Sequence, residues 1–374
     1  MSEDFVTQLR LQLREAALRE ERRGPVARRT VRARRSLPGP APVAAALAVA
    51  LLALAVALGA LALRGEPEPA LLKVIGTYRV AAGLSPLAPG FGAVWTADPI
   101  RGEILRIEPA TRRVVARIPV RGEARVATGA GAVWAIAGDL QYGGDTGPVR
   151  LLRIDPATNR VVARIPMRTP AGVRFAPVEL QIDRGVVWAV GLDGALRIDP
   201  TRNVPDLYVP LAEKTGDPRG IVTDGDNVWV LTARGRLRVY DARTGRAERE
   251  VRVGAPAPVY LFWGPPGTLT ALTGKNQLAL LERASGRVVW RAAFGEDFGW
   301  LLFDDGVLWV QYSGPPTSSA SPGPAEPDRL ARVDADSGRR LGDVDLPERG
   351  VAGMAKVGRD IWVATPDGKI VVVR

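Results

Sequence analysis

The chain has 374 residues, a formal net charge of +11, no cysteine and no histidine. Without Cys, disulfide frameworks, zinc ribbons, iron–sulfur clusters and thiolate nucleophiles are excluded, and without His the commonest metal ligand and general base is missing. Because 41 Gly and 31 Pro leave little room for long helices, the composition predicts many short elements joined by turns.

Residues 1–40 form a basic segment. They hold ten Arg and five acidic residues, so +5 of the net charge lies here, and residues 22–35 hold seven Arg and no acid. Apolar residues recur at helical spacing, which predicts an amphipathic helix with Phe5, Leu9, Leu13, Ala16 and Ala17 on one face. We interpret it as a basic helix lying on anionic lipid, with a docking helix for a cytoplasmic partner as the alternative. Nucleic acid is not an expected partner, because the block lacks a base-reading element and adjoins the predicted membrane segment.

Residues 41–63 are 23 uncharged residues dominated by Ala and Leu. As a helix they would extend roughly 35 Å, enough to cross a hydrocarbon core of about 30 Å. The seven Arg lie before this segment, whereas residues 64–73 sum to zero charge, so the positive-inside rule predicts a cytoplasmic N-terminus. A cleaved signal peptide is the alternative, but the long basic region and long apolar run favour a permanent anchor. Residues 64–70 are then a linker, and residues 71–374 lie outside the cytoplasm.

Residues 71–374 are a repeat array. A Val-Trp dipeptide or a close variant recurs at intervals of 39 to 54 residues, and Leu269-Thr270 fills one gap. We interpret the recurrent tryptophans as packing residues between repeats, with ligand stacking as the alternative; they are Trp95, Trp134, Trp188, Trp229, Trp309 and Trp362. Seven units with a basic period near 40 residues are typical of β-propeller blades.

A second motif follows most of these dipeptides. It consists of an apolar residue, an Asp or Glu, a few small or polar residues and a turn residue, as in Ile154-Asp-Pro-Ala-Thr-Asn-Arg160. The carboxylate can accept backbone N–H groups, and the turn residue occupies a slot that favours a left-handed conformation. That slot holds Asn or Gly in every copy but one, so we expect strain at Arg112. Because each carboxylate stands alone in its turn, the motif indicates structure rather than catalysis or calcium binding.

Each unit therefore reads as four short strands. The last unit stops after three, and the missing strand lies at residues 73–80, ahead of the first unit. An N-terminal strand that completes the last blade would leave no unpaired edge. The sequence thus predicts an all-β, seven-bladed β-propeller of four-stranded blades closed by an N-terminal strand. One transmembrane helix and a short cytoplasmic helical tail precede it.

The pattern Gly-x-Val-Trp followed by Ile-Asp-Pro-Ala-Thr-x-Arg-Val-Val-Ala-x-Ile-Pro-Val resembles the repeats of the YVTN and virginiamycin B lyase-like propellers of bacteria. For the lyases of that superfamily the resemblance implies a catalytic His with a bound magnesium ion. This chain has no His, so that activity does not carry over. Residues 278–290 also resemble the docking motif of pyrroloquinoline-quinone propellers, but a single copy implies kinship of repeats and no cofactor.

A binding face is expected where the repeats carry extra length. The connections between second and third strands share one face with the connections between blades, and the insertions at 138–147 and 313–327 both fall there. We therefore expect candidate binding residues at Asp98, Arg101, Asp139, Tyr142, Asp145, Asp193, Arg234 and Tyr312. No catalytic residue, metal or cofactor is predicted.

Two function classes follow. The first is a membrane-anchored extracytoplasmic propeller that binds a protein, peptide or polysaccharide as a scaffold or sensor, with the lipid bilayer as its other partner. The alternative is a carboxylate- or metal-dependent enzyme, of lyase or hydrolase type, with its site in the propeller channel. Few carboxylates lie on the predicted channel-lining strands, which favours the binding module.

Overall fold

The structure is a computed structural model that describes residues 71–138, 140, 149–210, 220–232, 235–253, 258–273, 277–294, 297–313 and 327–374. These residues form 28 strands in seven four-stranded antiparallel sheets, which confirms the all-β, seven-bladed propeller. Within these ranges no helix is long and apolar enough to cross a membrane. The predicted tail, membrane helix and linker at 1–70 lie outside the described residues.

Blades 1 to 3 are each a run of four consecutive strands. Blade 1 contains β2 (Ala88–Gly90), β3 (Ala93–Asp98), β4 (Glu103–Glu108) and β5 (Arg113–Pro119). Blade 2 contains β6 (Glu123–Gly129), β7 (Ala132–Gly138), β8 (Arg150–Asp155) and β9 (Arg160–Pro166). Blade 3 contains β10 (Pro177–Asp183), β11 (Val186–Gly191), β12 (Gly194–Asp199) and β13 (Val204–Pro210).

Blades 4 to 6 repeat the same meander. Blade 4 contains β14 (Ile221–Thr223), β15 (Asn227–Leu231), β16 (Arg236–Asp241) and β17 (Ala247–Arg252). Blade 5 contains β18 (Pro258–Trp263), β19 (Thr268–Thr273), β20 (Gln277–Glu282) and β21 (Val288–Ala293). Blade 6 contains β22 (Asp297–Asp304), β23 (Val307–Ser313), β24 (Asp328–Asp334) and β25 (Arg340–Asp345).

Blade 7 joins the two ends of the propeller. It contains β26 (Gly353–Val357), β27 (Asp360–Ala364) and β28 (Lys369–Val373), and its outermost strand is β1 (Val74–Arg79). β1 pairs antiparallel with β28, and the backbones of Lys73 and Arg374 exchange two hydrogen bonds of 3.0 Å. The first strands of neighbouring blades contact one another from β2 through β26 and back to β2, so the ring is closed as the sequence predicts.

The burial of each strand follows its position in the blade. The second strands β3 and β7 are buried on both faces, because each blade packs between two neighbours. The outer strands β5 and β9 alternate between exposed and half-buried residues, as expected when one face meets solvent. The Arg-Val-Val-Ala-Arg-Ile-Pro sequence of both strands thus reports an edge position rather than a core position.

The turns between third and fourth strands have the geometry that the second motif predicts. The slot residue is left-handed in all six copies, with φ between 57° and 72°; the residues are Arg112, Asn159, Asn203, Gly245, Gly286 and Gly338. Arg112 adopts φ 58° although it has a side chain, which is the expected strained copy. Its guanidinium lies 4.6 Å from the ring centre of Tyr78 in blade 7, a contact that ties the turn to the closing strand.

The carboxylates of these turns are engaged locally. Asp155 accepts a hydrogen bond from the Thr158 hydroxyl at 2.6 Å, and this bond is the main cause that holds the pKa of Asp155 below its usual value. Backbone N–H groups of Arg202 and Thr201 lower the pKa of Asp199 in the same way. The acid of the motif therefore stabilises the turn as an ionised acceptor.

The hydrophobic core lies between blades rather than within them. Each recurrent tryptophan is buried in a cluster that includes residues of the next blade along the ring. Trp95, for example, packs with Val133, Ala135 and Ile154 of blade 2. The indole N–H groups of Trp95 and Trp134 reach the carbonyl oxygens of Gly90 and Gly129 at 3.2 and 3.1 Å.

A set of arginines latches each of the first three blades to the next. The Arg106 guanidinium of blade 1 donates to the carbonyl of Pro156 at 2.9 Å and to the amide oxygen of Asn159 at 3.0 Å, both in the blade 2 turn. Arg153 makes the same two bonds to Pro200 and Asn203 in blade 3, at 2.7 and 3.0 Å. Such charge-assisted hydrogen bonds are stronger than neutral ones and join neighbouring blades. The third member, Arg197, donates to Ala242 of blade 4 at 2.8 Å.

Candidate binding face

The propeller has two faces that differ in their connections. We call insertion face the one that carries the connections between second and third strands and the connections between blades, and turn face the opposite one. Antiparallel meanders place these two kinds of connection together, so both long insertions begin on the insertion face. The four described candidates, Asp98, Arg101, Asp193 and Tyr312, come from connections or strand ends on this face.

Asp98 and Arg101 lie together in blade 1. Asp98 is fully buried at the end of β3, and one carboxylate oxygen accepts the N–H groups of Ile100 at 3.1 Å and Arg101 at 3.2 Å. The other oxygen accepts the N–H of Ala82, in the connection from blade 7, at 3.0 Å. The carboxylate thus joins blades 7 and 1, whereas the Arg101 side chain is exposed.

Asp193 lies in the short turn between β11 and β12 of blade 3. Its side chain is exposed, and its carbonyl oxygen accepts the Tyr208 hydroxyl at 2.9 Å. Burial raises the pKa of Tyr208, and the negative charge of Asp193 adds to the effect. The ring of Tyr208 packs edge-on against Phe175, 5.8 Å between centres, so this group is an aromatic corner with one carboxylate at its rim.

Tyr312 is buried at the end of β23 in blade 6. Its hydroxyl donates to Asp343 at 3.3 Å and accepts a hydrogen bond from Arg340, which also pairs with Asp343. The ring of Phe294 lies 6.0 Å from that of Tyr312 and 5.1 Å from that of Phe298. Aromatic rings therefore fill the space between blades 5 and 6 at the insertion face.

The remaining candidates are Asp139, Tyr142, Asp145 and Arg234, which lie outside the described residues. Blades 1, 3 and 6 are not neighbours in the ring, so the described candidates fall into three separate groups, of which only Asp98 and Arg101 share a blade. A binding role for the eight residues stays a prediction.

An open cleft of about 640 Å³ lies between blades 1 and 2 on the insertion face. Its apolar lining comes from the connection after β5 and from the inner residues of blade 2, namely Pro119, Val120, Ala137, Leu152 and Val161. Three exposed arginines, Arg121, Arg150 and Arg164, complete the lining. None of the three was singled out from the sequence, because their convergence depends on which blades are neighbours.

Blade 2 has a small residue at the cleft where blades 1 and 6 have larger ones. Ala137 stands three residues after its Trp, the position of Asp98 in blade 1 and of Tyr312 in blade 6. Val120 likewise corresponds to Phe294, since Pro119 and Ala293 each pair with the first residue of the third strand in their own blade. Between blades 5 and 6, the rings of Phe294 and Tyr312 fill the space at these two positions. The corresponding space between blades 1 and 2 is the open cleft.

The first strands of the blades are linked by polar side chains. Arg125 of blade 2 donates to the carbonyl of Val178 in blade 3 at 2.6 Å, and Gln181 of blade 3 donates to Ile221 in blade 4 at 2.7 Å. Asp304 and Lys356 form an ion pair between blades 6 and 7. In the part of the chain that the structure describes, no group of three or more acidic side chains could hold a metal ion.

Comparison with protein families gives one informative match. A family model described as outer membrane protein assembly factor BamB matches residues 263–374, from the end of β18 in blade 5 through blades 6 and 7. This is less than a third of the chain. No curated protein matches the chain. Together with the seven blades, the match identifies the chain as a repeat-built β-propeller, without the narrower assignment to the YVTN and virginiamycin B lyase-like group.

Proposed function

We propose that this protein is a membrane-anchored, extracytoplasmic β-propeller that binds a protein, peptide or polysaccharide as a scaffold or sensor module. The observation that carries the proposal is the open, arginine-lined cleft on the insertion face, the face on which both insertions begin. Concave sites with an apolar floor and a few polar groups are the usual form of a binding site. The matched family description names an assembly factor, which favours binding over catalysis.

The membrane anchor rests on the sequence of residues 41–63 and on the seven Arg that precede it. We place the basic tail in the cytoplasm and the propeller on the opposite side of the membrane. Kinship with the YVTN and virginiamycin B lyase-like repeats belongs to the same proposal. It rests on the Val-Trp dipeptides of blades 1 to 3, on the Ile-Asp-Pro-Ala-Thr sequence of blade 2 and on the variants of that sequence in blades 1 and 3.

The absence of cysteine allows a direct test of this topology. Val115 is 54% exposed on the outer strand β5, so Val115→Cys offers a single accessible thiol, and Thr7→Cys offers one in the tail. With a membrane-impermeant maleimide on spheroplasts, we expect Val115→Cys to react before lysis and Thr7→Cys only after it. The opposite order would contradict the proposed orientation.

The binding role is tested by chemical crosslinking of the full chain in its native membrane, followed by mass spectrometry of the captured species. We expect crosslinks to concentrate on the insertion face, where the cleft lies. The turn face, probed through exposed residues such as Arg113 and Arg160, is the internal control. Crosslinks spread equally over both faces would argue against a dedicated binding face.

A further inference from the structure

The three arginines of the cleft form a concentrated positive charge. Arg121 lies in the connection between blades 1 and 2, Arg150 begins β8 and Arg164 lies in β9. Arg164 pairs with Leu152, two residues after Arg150, so Arg150 and Arg164 project from the same side of the sheet. Arg121 reaches the same cleft from the neighbouring connection.

Some other arginines of the third and fourth strands are neutralised by acidic side chains. Arg117, Arg197 and Arg238 each pair with a carboxylate on a neighbouring strand, at 2.7 to 2.8 Å. By contrast, no carboxylate among the described residues pairs with Arg121, Arg150 or Arg164. Glu123 on β6 is the acidic residue nearest to Arg121 in the described sequence, and it does not line the cleft. Three guanidinium groups without a carboxylate partner among the described residues thus surround one cleft, and such a cluster attracts an anionic ligand.

The lining also restricts the chemistry of that ligand. Guanidinium groups donate hydrogen bonds and cannot accept them. Sugar hydroxyls donate as well as accept, and the described side chains of the lining include no carboxylate, amide or hydroxyl that would satisfy them. A carboxylate only accepts, and its two oxygens match the fork of an arginine. The donors therefore favour carboxylates over neutral sugars.

The floor of the cleft adds an apolar requirement. Ala137 and Leu152 are buried in the floor, and the half-buried Val120 and Val161 leave aliphatic surface that an aliphatic side chain of the ligand would cover. A volume of about 640 Å³ is within the range of sites that hold a short peptide or a small molecule. An acidic peptide with interspersed aliphatic residues satisfies the rim and the floor together.

We propose that the cleft between blades 1 and 2 binds an acidic, aliphatic peptide segment of a partner protein, with its carboxylates on Arg121, Arg150 and Arg164. The inference rests on the proposed binding function and deepens it by naming the chemistry of the partner. The apolar side chains of the segment cover Val120 and Val161, and the guanidinium groups fix its register.

The test uses the full chain in mild detergent and a fluorescein-labelled peptide of alternating Glu and Leu. A peptide of alternating Gln and Leu, with the same label, is the matched control probe. We expect the Glu peptide to bind saturably by fluorescence polarisation, and its affinity to fall with added salt. Failure of the Glu peptide to bind, or equal binding of the Gln peptide, would overturn the proposal.

Two variants locate the binding. The double variant Arg150→Gln, Arg164→Gln should weaken Glu-peptide binding by at least about tenfold, because charge-assisted hydrogen bonds are lost. The double variant Arg113→Gln, Arg160→Gln removes the same charge at the turn-face ends of β5 and β9. It should change affinity by no more than about twofold, since distant exposed charges are screened. An equal loss of peptide affinity in both double variants would show that only the net charge of the protein matters, and it would overturn the assignment of the binding site to the cleft.

A third variant changes volume without changing charge. Ala137→Tyr places in blade 2 the residue that blade 6 has at the same position, and we expect it to fill the cleft and abolish binding. An unchanged thermal midpoint would show that the fold is intact. Unaltered peptide binding by a folded Ala137→Tyr protein would contradict the assignment of the cleft.

Other occupants give different results. Saturable binding of oligogalacturonate, together with failure of the Glu peptide to bind, would assign the cleft to an acidic polysaccharide and overturn the peptide proposal. If the Glu peptide binds only after Asp139→Asn and Asp145→Asn substitution, the chain's own insertion is the occupant and no external ligand is required.

The binding function and the cleft can fail separately. If membrane crosslinking captures the same partner with the wild type and with Arg150→Gln, Arg164→Gln, the proposed binding function stands. The assignment of the binding site to the cleft is then wrong. A partner lost from the double variant but retained by Arg113→Gln, Arg160→Gln would support both. If none of these proteins gives a crosslink on the insertion face while peptide binding is intact, the cleft binds acidic peptides as proposed. The proposed binding function in the cell is then wrong.

Discussion

Trp290 of blade 5 donates its indole N–H to the backbone carbonyl of Ala335 in blade 6, with 2.9 Å between nitrogen and oxygen. Ala335 is the turn position that Pro156, Pro200 and Ala242 occupy in blades 2 to 4. In blades 1 to 3 an arginine of the third strand donates to the carbonyl at that turn position of the next blade. The residue of blade 5 that corresponds to this arginine is Leu280. Leu280 pairs directly with Trp290 on the neighbouring strand. In blade 5 the donor to the next blade is therefore on the fourth strand instead of the third.

Removing the Trp290 latch should loosen the contact between blades 5 and 6. We expect Trp290→Phe to lower the free energy of unfolding by about 1 kcal/mol, because the carbonyl of Ala335 loses its donor while most of the ring contact stays. Trp290→Ala should cost about 2 kcal/mol, since the half-buried ring is lost too. Val289→Ala, a change on the exposed side of the same strand, is the control for denaturant unfolding. Equal midpoints for all three would contradict the latch.

The arginine latches can be tested at Arg153. Arg153→Met keeps much of the aliphatic packing and removes the donors to Pro200 and Asn203, and we expect a loss of about 2 kcal/mol. Asn203→Gly keeps the left-handed conformation and removes one acceptor. Double-mutant cycles should show coupling between Arg153 and Asn203. Arg160→Met, an exposed arginine of β9, is the control, and additive effects of Arg153 and Asn203 would argue against their bond.

Ring closure by β1 should be worth several kcal/mol. Five half-buried apolar residues of this segment pack into two clusters that include blade 7, and at roughly 1 kcal/mol for each, removal of residues 71–80 should cost about 5 kcal/mol. A synthetic peptide covering residues 71–80 should restore part of the loss by pairing with β28. An unfolding midpoint that is the same with and without residues 71–80 would contradict closure by this strand.

The turn carboxylates predict a loss of stability in acid. Hydrogen bonds from Thr158, Arg202 and Thr244 lower the pKa of Asp155, Asp199 and Asp241 in the folded state. Their contribution is therefore present above the unfolded-state pKa of about 4 and is lost as pH falls through the lower folded-state values. We expect the thermal midpoint to be level from neutral pH to about pH 5 and to drop below about pH 4.

Neutral variants provide the check on that acid loss. Asp155→Asn and Asp241→Asn should lower the midpoint at neutral pH and flatten its decline in acid. Asp336→Asn removes an exposed carboxylate that makes no hydrogen bond among the described residues, so it should leave the decline unchanged. An acid decline that is equally steep in all three variants would refute a role for the turn carboxylates.

The sequence predicted the features that repeat. The period, the four strands of each blade, the left-handed slot that includes Arg112 and the closing strand follow from local motifs, and the structure confirms them. Local chemistry suffices there, because a turn is specified within a few residues.

Contacts between blades were beyond prediction for the opposite reason. Arg153 and Asn203 are 50 residues apart, and nothing in either motif indicates that one reaches the other. The cleft depends on a small side chain at Ala137 and on the approach of Arg121 from another blade. Such a site emerges only when the ring is assembled, which is why the predicted residues and the cleft arginines do not coincide.

The pairing of β1 with β28 also sets the order of events during synthesis. β1 is the first strand of the propeller to be made and β28 the last, and Arg79 and Asp367 of the closing contact are 288 positions apart in the sequence. The strands of blades 1 to 6 can pair with their sequence neighbours as they are synthesised. The edge of β1 stays unpaired until the final residues of the chain have been made. The seam at blade 7 is therefore the point at which assembly finishes, and a chain stalled before β28 would carry an open ring with a strand edge exposed to aggregation.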